Sequence, residues 1–204
     1  EVFAAGAIIA GIPYGCANGV AEAFDCMAGR GGGNARALAA EVRRASGHEG
    51  PWPRVQIWQG SADHTVAPGN AEALVRQWRE LHGLTAAPSR TGRVDGHQHN
   101  LWTAADGTPL IEQHMITGMG HGTPLNPGTG EGQSGEAGAH MLDVGISSTD
   151  RIAEFFGIAP RVAAVAKSDR SGRPETRIDI PTAPAAASLQ ATIEKALRAA
   201  GLMR

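Results

Sequence analysis

Charge of either sign is nearly balanced in this chain, with 18 Lys and Arg against 20 Asp and Glu, a net charge of -2 and a pI near 6.5. That balance gives no basic surface for nucleic acid or an anionic membrane, and neither is expected as a partner. Long hydrophobic runs are missing too, so no segment has the length of a membrane span. Cysteine is limited to Cys16 and Cys26. Two cysteines cannot build a structural zinc site, and no histidine pair stands beside them at ligand spacing, so no metal is expected there. In an oxidising compartment they form one short-loop disulfide; the other reading is two buried free thiols, and the even count favours the bridge. There are no internal repeats. The chain opens at Glu1 without a methionine or a signal-peptide pattern, which reads as a polypeptide processed, trimmed or cut from something longer.

What is abundant is glycine and proline, at 28 and 12 residues, which fits a loop-rich α/β protein and not a helical bundle. A length of 204 residues suffices for one domain with a real core, or for a large piece of one. Residues 2–11 are apolar and end in glycine, the pattern of a strand buried on both faces in a parallel sheet. A short helix over 18–27, a glycine-rich loop over 30–34 and an alanine-rich helix over 35–45 follow. Residues 55–60 read as a β-branched strand, leading through a loop into a helix. That helix sets Ala71, Leu74, Val75, Trp78 and Leu81 on one face and ends at Gly83. Strand, loop and helix in this order are half of a βαβ unit. Residues 97–103 and 110–117 flank Asp106-Gly107 and read as a hairpin. Ser147 to Asp150 cap a helix containing Ile152, Phe155 and Phe156. The expected organisation is a compact part over 1–159, an Ala/Pro-rich extension over 160–187 and a terminal helix over 188–204.

Two residues stand where α/β proteins place their chemistry, just past the carboxyl ends of strands. Asp63 follows the strand over 55–60. His121 follows the strand over 110–117, inside Gly118-Met119-Gly120-His121-Gly122-Thr123-Pro124. Imidazole is the side chain whose ordinary pKa lies nearest neutrality, and glycines around it permit positive φ and close approach. A carboxylate on one ring nitrogen fixes the tautomer and leaves the other nitrogen to take a proton. Taken singly, His121 is a histidine in a glycine-rich turn and Asp63 a turn-capping aspartate. Their order, acid before histidine, is that of the α/β-hydrolase triad, in which a serine comes first.

Three blocks in order carry a family resemblance. Phe3-Ala4-Ala5-Gly6-Ala7-Ile8-Ile9-Ala10-Gly11-Ile12-Pro13-Tyr14-Gly15-Cys16-Ala17, then Val55-Gln56-Ile57-Trp58-Gln59-Gly60-Ser61-Ala62-Asp63, then the His121 loop resemble the esterase family of polyhydroxybutyrate depolymerases. The likeness runs to about Ile158, and the ending over 196–202 is also similar. It implies an α/β-hydrolase fold, with Asp63 as triad acid and His121 as triad base. It implies hydrolysis of a polyester or short-chain ester without a cofactor. With the cysteine pair, it implies a secreted or periplasmic setting.

The departure is the nucleophile. No Gly-x-Ser-x-Gly is present; the nearest stretch, Gly132-Gln133-Ser134-Gly135-Glu136, lacks the last glycine and follows the histidine. Ser134 is therefore rejected, and the serine and most of the oxyanion-binding N–H groups are expected in an amino-terminal portion outside this chain. Without that partner, the apolar strand over 2–11 exposes an edge, and the isolated residues are expected not to fold stably. Other readings are a feruloyl or aryl esterase or a peptidase of the same superfamily, or a non-catalytic module that has lost its serine. Among the aromatics, Trp58 and Trp78 are expected in the core, Tyr14 is a candidate for the pocket lining, and Trp102 reads as a packing residue ahead of a substrate contact. His97 and His99 alternate along a strand, but without a carboxylate they make a poor metal site. His64 reads as a loop residue.

Overall fold

The computed structural model describes residues 3–31 and 33–159; the expected extension and terminal helix lie outside the described residues. The elements are β1 (Ala5–Ile9), α1 (Val20–Met27), α2 (Ala35–Ala45), β2 (Arg54–Gly60), α3 (Gly69–His82), β3 (Arg90–Val94), β4 (His97–Thr103), β5 (Pro109–Ile116), β6 (Thr123–Leu125), β7 (Met141–Asp143) and α4 (Ser148–Phe156). The sheet order is β1-β2-β5-β4-β3, with β1, β2 and β5 parallel and β4 and β3 added antiparallel. This is a mainly parallel sheet covered by helices, an α/β fold as expected.

Period-two alternation sorts each strand into two faces. On one face Val55, Ile57, Trp102 and Ile111 meet Ala71, Leu74 and Val75 of α3 in one cluster. On the other, Trp58 and Ile116 pack with Met119, Ile146 and Ile152 of α4. Burying a side chain such as Leu74 or Ile111 contributes about 1.5–3 kcal/mol. Both helices stop where glycine takes up left-handed backbone, α3 at Gly83 (φ 66°) and α4 at Gly157 (φ 75°). Ser147 caps α4 by accepting from Asp150 N–H. On α3 the buried Gln77 donates to the carbonyls of Tyr14 (2.8 Å) and Leu38 (3.0 Å), tying the loop after β1 and helix α2 to the helix beside the sheet.

Several expectations need correcting. β1 is not buried on both faces: its five residues are half-buried, and among the described residues it pairs only with β2. β3 was not expected at all, because its Arg-Thr-Gly-Arg-Val is nearly all exposed and has no apolar face. Its signal was the Asp95-Gly96 pair, both at positive φ, a two-residue turn joining it to β4. The short β6–β7 pair also went unread, hidden by the glycines between its strands. Cys16 and Cys26 are thiols and not a bridge; Cys26 Sγ donates to the Cys16 carbonyl at 2.7 Å. Burial, followed by the neighbouring Cys26, pushes the Cys16 thiol up to about 12.

Candidate active site

The loops after β2 and β5 are fastened to each other, and this brings Asp63 to His121. Ser61 N–H donates to the Ile116 carbonyl (3.0 Å), Ala62 N–H to the Met119 carbonyl (3.0 Å), and Gly118 N–H to Ser61 Oγ (2.8 Å). Contact this close requires glycine at the end of β2: a Cβ on Gly60 would run into the Met119 carbonyl oxygen and lie 2.6 Å from that of Gly120. Gly118 turns the chain out of β5 at φ 74°.

His121 Nδ1 lies 2.9 Å from Asp63 Oδ2. With the carboxylate ionised, Nδ1–H is the donor, an assignment made from the hydrogen-bond network, and Nε2 is left free to take a proton. The Asp63 side chain is completely buried, while a third of the His121 side chain reaches solvent. Burying a carboxylate is costly unless its oxygens are satisfied. Here Oδ1 accepts from the N–H groups of Thr65 and Val66, both at 2.8 Å, and Oδ2 accepts from Gln59 Nε2 at 2.9 Å in addition to the imidazole. Gln59 is held in turn by donating to the Val66 carbonyl at 2.9 Å. Gln59, buried near the end of β2, escaped the sequence reading, because a glutamine in a strand carries no motif.

The remaining candidates separate. Tyr14, in the loop after β1, is 57% exposed and available to a ligand. Trp102 is only 5% exposed and belongs to the cluster against α3, so it packs the core and offers no surface to a substrate. Trp58 and Trp78 take core positions as expected. His64 is exposed. Ser134 Oγ is engaged with Ser147 Oγ at 2.7 Å and with Asp150. A residue not anticipated is His140, whose ring stands edge-on to His121 at 6.1 Å and whose Nδ1 lies 3.3 Å from the His121 carbonyl. Gly122 permits that approach, since a Cβ there would meet the His140 carbonyl oxygen at 2.7 Å.

No protein-family model matches the chain. It is 46% identical over 160 residues to poly(3-hydroxyalkanoate) depolymerase C of Paucimonas lemoignei, a match covering 78% of this chain and 38% of that protein. It is 33% identical over 129 residues to an acetylxylan esterase of Coprinopsis cinerea, covering 61% of this chain and 34% of the other. The chain therefore spans well under half the length of these relatives. Among solved structures, an acetyl xylan esterase from Aspergillus awamori superposes with a TM-score of 0.56 at 23% identity, over 77% of this chain and 51% of that one. That likeness concerns the fold. Together the relatives support an esterase and polyhydroxybutyrate depolymerase family for this chain.

Proposed function

We propose that this chain supplies the acid and the base of a serine ester hydrolase of the polyhydroxyalkanoate-depolymerase type. The observation that carries the reading is the 2.9 Å hydrogen bond between His121 and a buried, fully satisfied Asp63. The nucleophile in this reading is a serine outside these 204 residues, on a segment that pairs with the open side of β1. The serine hydroxyl attacks the ester carbonyl, and His121 Nε2 takes its proton. The imidazolium then hands that proton to the departing alkoxide, and the Asp63 carboxylate stabilises the charged ring throughout. N–H groups beyond this chain stabilise the oxyanion. Water repeats the cycle on the acyl-enzyme, and no cofactor enters. An exported location belongs to the same reading.

The substrate is a polyester or short hydroxyalkanoate ester, with Tyr14 at the pocket wall. The higher identity to the depolymerase than to the acetylxylan esterase favours this over acetyl or feruloyl esters of plant wall. The test uses the natural polypeptide that carries this chain, assayed on hydroxybutyrate oligomers, p-nitrophenyl esters, acetylated xylan and feruloyl esters. His121→Ala should lower kcat on the preferred ester by about 10³-fold or more. Full activity in that variant sinks the triad assignment, and preference for feruloyl or acetylxylan esters sinks the substrate class.

A further inference from the structure

Away from the Asp63–His121 pair, a second group of imidazoles and a carboxylate lies on the sheet face covered by α4. His99 on β4 sits opposite His114 on β5, and Glu112 precedes His114 by two residues on the same face. His99 Nε2 is 3.7 Å from Glu112 Oε1, and His114 Nε2 is 3.6 Å from Glu112 Oε2. One ligand atom from each of the three residues lies within 4.8 Å of the others. Both separations from the carboxylate are too long for a hydrogen bond.

The protons explain why the gaps matter. Trp58 Nε1 can only donate, and it does so to Gln56 Oε1 at 3.0 Å. That fixes the Gln56 amide with its NH₂ turned to the cluster, 2.7 Å from Glu112 Oε2 and 3.4 Å from His114 Nε2. His114 Nε2 shares that NH₂ with the Arg151 carbonyl, also at 3.4 Å, and the other ring nitrogen, Nδ1, is a buried atom without a hydrogen-bond partner among the described residues. His114 Nε2, the oxygens of Glu112 and His99 Nε2 therefore converge on one point beside this amide.

We propose that His99, Glu112 and His114 form a site for a divalent transition cation of the zinc class. Two imidazoles and one carboxylate are a recurrent ligand set for such ions. In tetrahedral zinc geometry, ligand atoms about 2.0–2.1 Å from the metal stand roughly 3.4 Å from one another, so the carboxylate contacts close with small side-chain rotations. The His99–His114 separation has further to close, through rotation of the less confined His99. Gln56 keeps its bond to Glu112 Oε2 and orients the ligating carboxylate from outside. Room for water ligands exists, because the three residues line a cavity of about 730 Å³. The other charges facing that cavity are Arg54, Arg90, Arg93 and Arg151 against Asp95 and Glu154, and Arg151 is paired with Asp95 at 2.9 Å and Glu154 at 3.3 Å. A cation here ties β4 to β5, the strand that runs directly into the His121 loop.

The experiment loads the natural full-length polypeptide with Zn²⁺ or Co²⁺, dialyses it, and counts metal per chain. X-ray absorption of the zinc-loaded protein should show a nitrogen and oxygen shell with two imidazoles and no sulfur, at one metal per chain. Titration with Co²⁺ should give a visible ligand-field band, and Glu112→Gln and His99→Gln should each weaken binding about tenfold or more. Failure to retain a stoichiometric metal, a shell with sulfur or with fewer than two imidazoles, or a smaller loss in both folded variants overturns the site. Should a variant not fold, the absorption spectrum of the unaltered protein decides alone. None of these readouts involves ester hydrolysis, so they are independent of the triad.

Discussion

Imidazole meets carboxylate both at Asp63–His121 and at Glu112, and the two places differ in how the pair is finished. At Asp63–His121 the partners come from separate loops, meet at 2.9 Å, and every oxygen of the carboxylate has a donor. At Glu112 the partners come from neighbouring strands and stop at 3.6 and 3.7 Å. Loops can adjust backbone to bring two side chains into hydrogen-bond contact. Strands in fixed register hold their side chains at the spacing of the sheet. The first arrangement suits a proton that must be held and passed. The second leaves a gap the size of an ion.

The largest effect expected from this contrast is catalytic. Asp63→Asn keeps the shape of the site but removes the charge that selects the Nδ1–H tautomer of His121. In the natural polypeptide kcat should fall by about 10⁴-fold with little change in KM. Ester hydrolysis within tenfold of the unaltered enzyme would mean that the 2.9 Å pair is only a loop fastening. The next effect tests the claim that loop geometry makes the pair. Gly60→Ala forces a Cβ against the Met119 and Gly120 carbonyls. Thermal or denaturant unfolding should report a loss of about 1–3 kcal/mol. Activity should fall further than stability alone explains, because the His121 loop must lift away from Asp63.

The two places were unequally legible before the structure, and the reason is physical. Asp63 and His121 were visible because strand-end chemistry leaves marks in the chain: a β-branched run, then glycines, then the functional residue. The helices were visible for the same kind of reason, since Ser147, Gly83 and Gly157 mark their ends and a 3.6-residue stripe marks their faces. His99 has no carboxylate beside it in its own strand. The missing acid was 13 positions further on, across a hairpin whose register no local pattern states. Gln59 and Gln56 were invisible for a related reason, because a buried amide matters only through the group it faces. Trp102 stayed open between packing and substrate contact because alternation along β4 does not say which face of the sheet meets α3.

A further imidazole, His82, separates the effect of burial from the effect of a carboxylate, and it carries the smallest expected change. His82 closes the last turn of α3, where it faces the Pro53 carbonyl at 3.1 Å. Burial lowers its pKa from the ordinary 6.5, although the hydrogen bond to Pro53 works the other way. A depressed folded value means that the unfolded chain takes up the proton first as pH falls. Stability held by the neutral ring above its ordinary pKa is therefore lost as pH drops below that value and through the folded one. The ring is partly solvated, so the slope should be shallow. Denaturant midpoints for the folded natural polypeptide and for His82→Gln, measured from pH 7.5 to pH 5, should converge toward acid, because glutamine can donate to Pro53 without titrating. Parallel curves would show that solvent reaches this ring in the folded state.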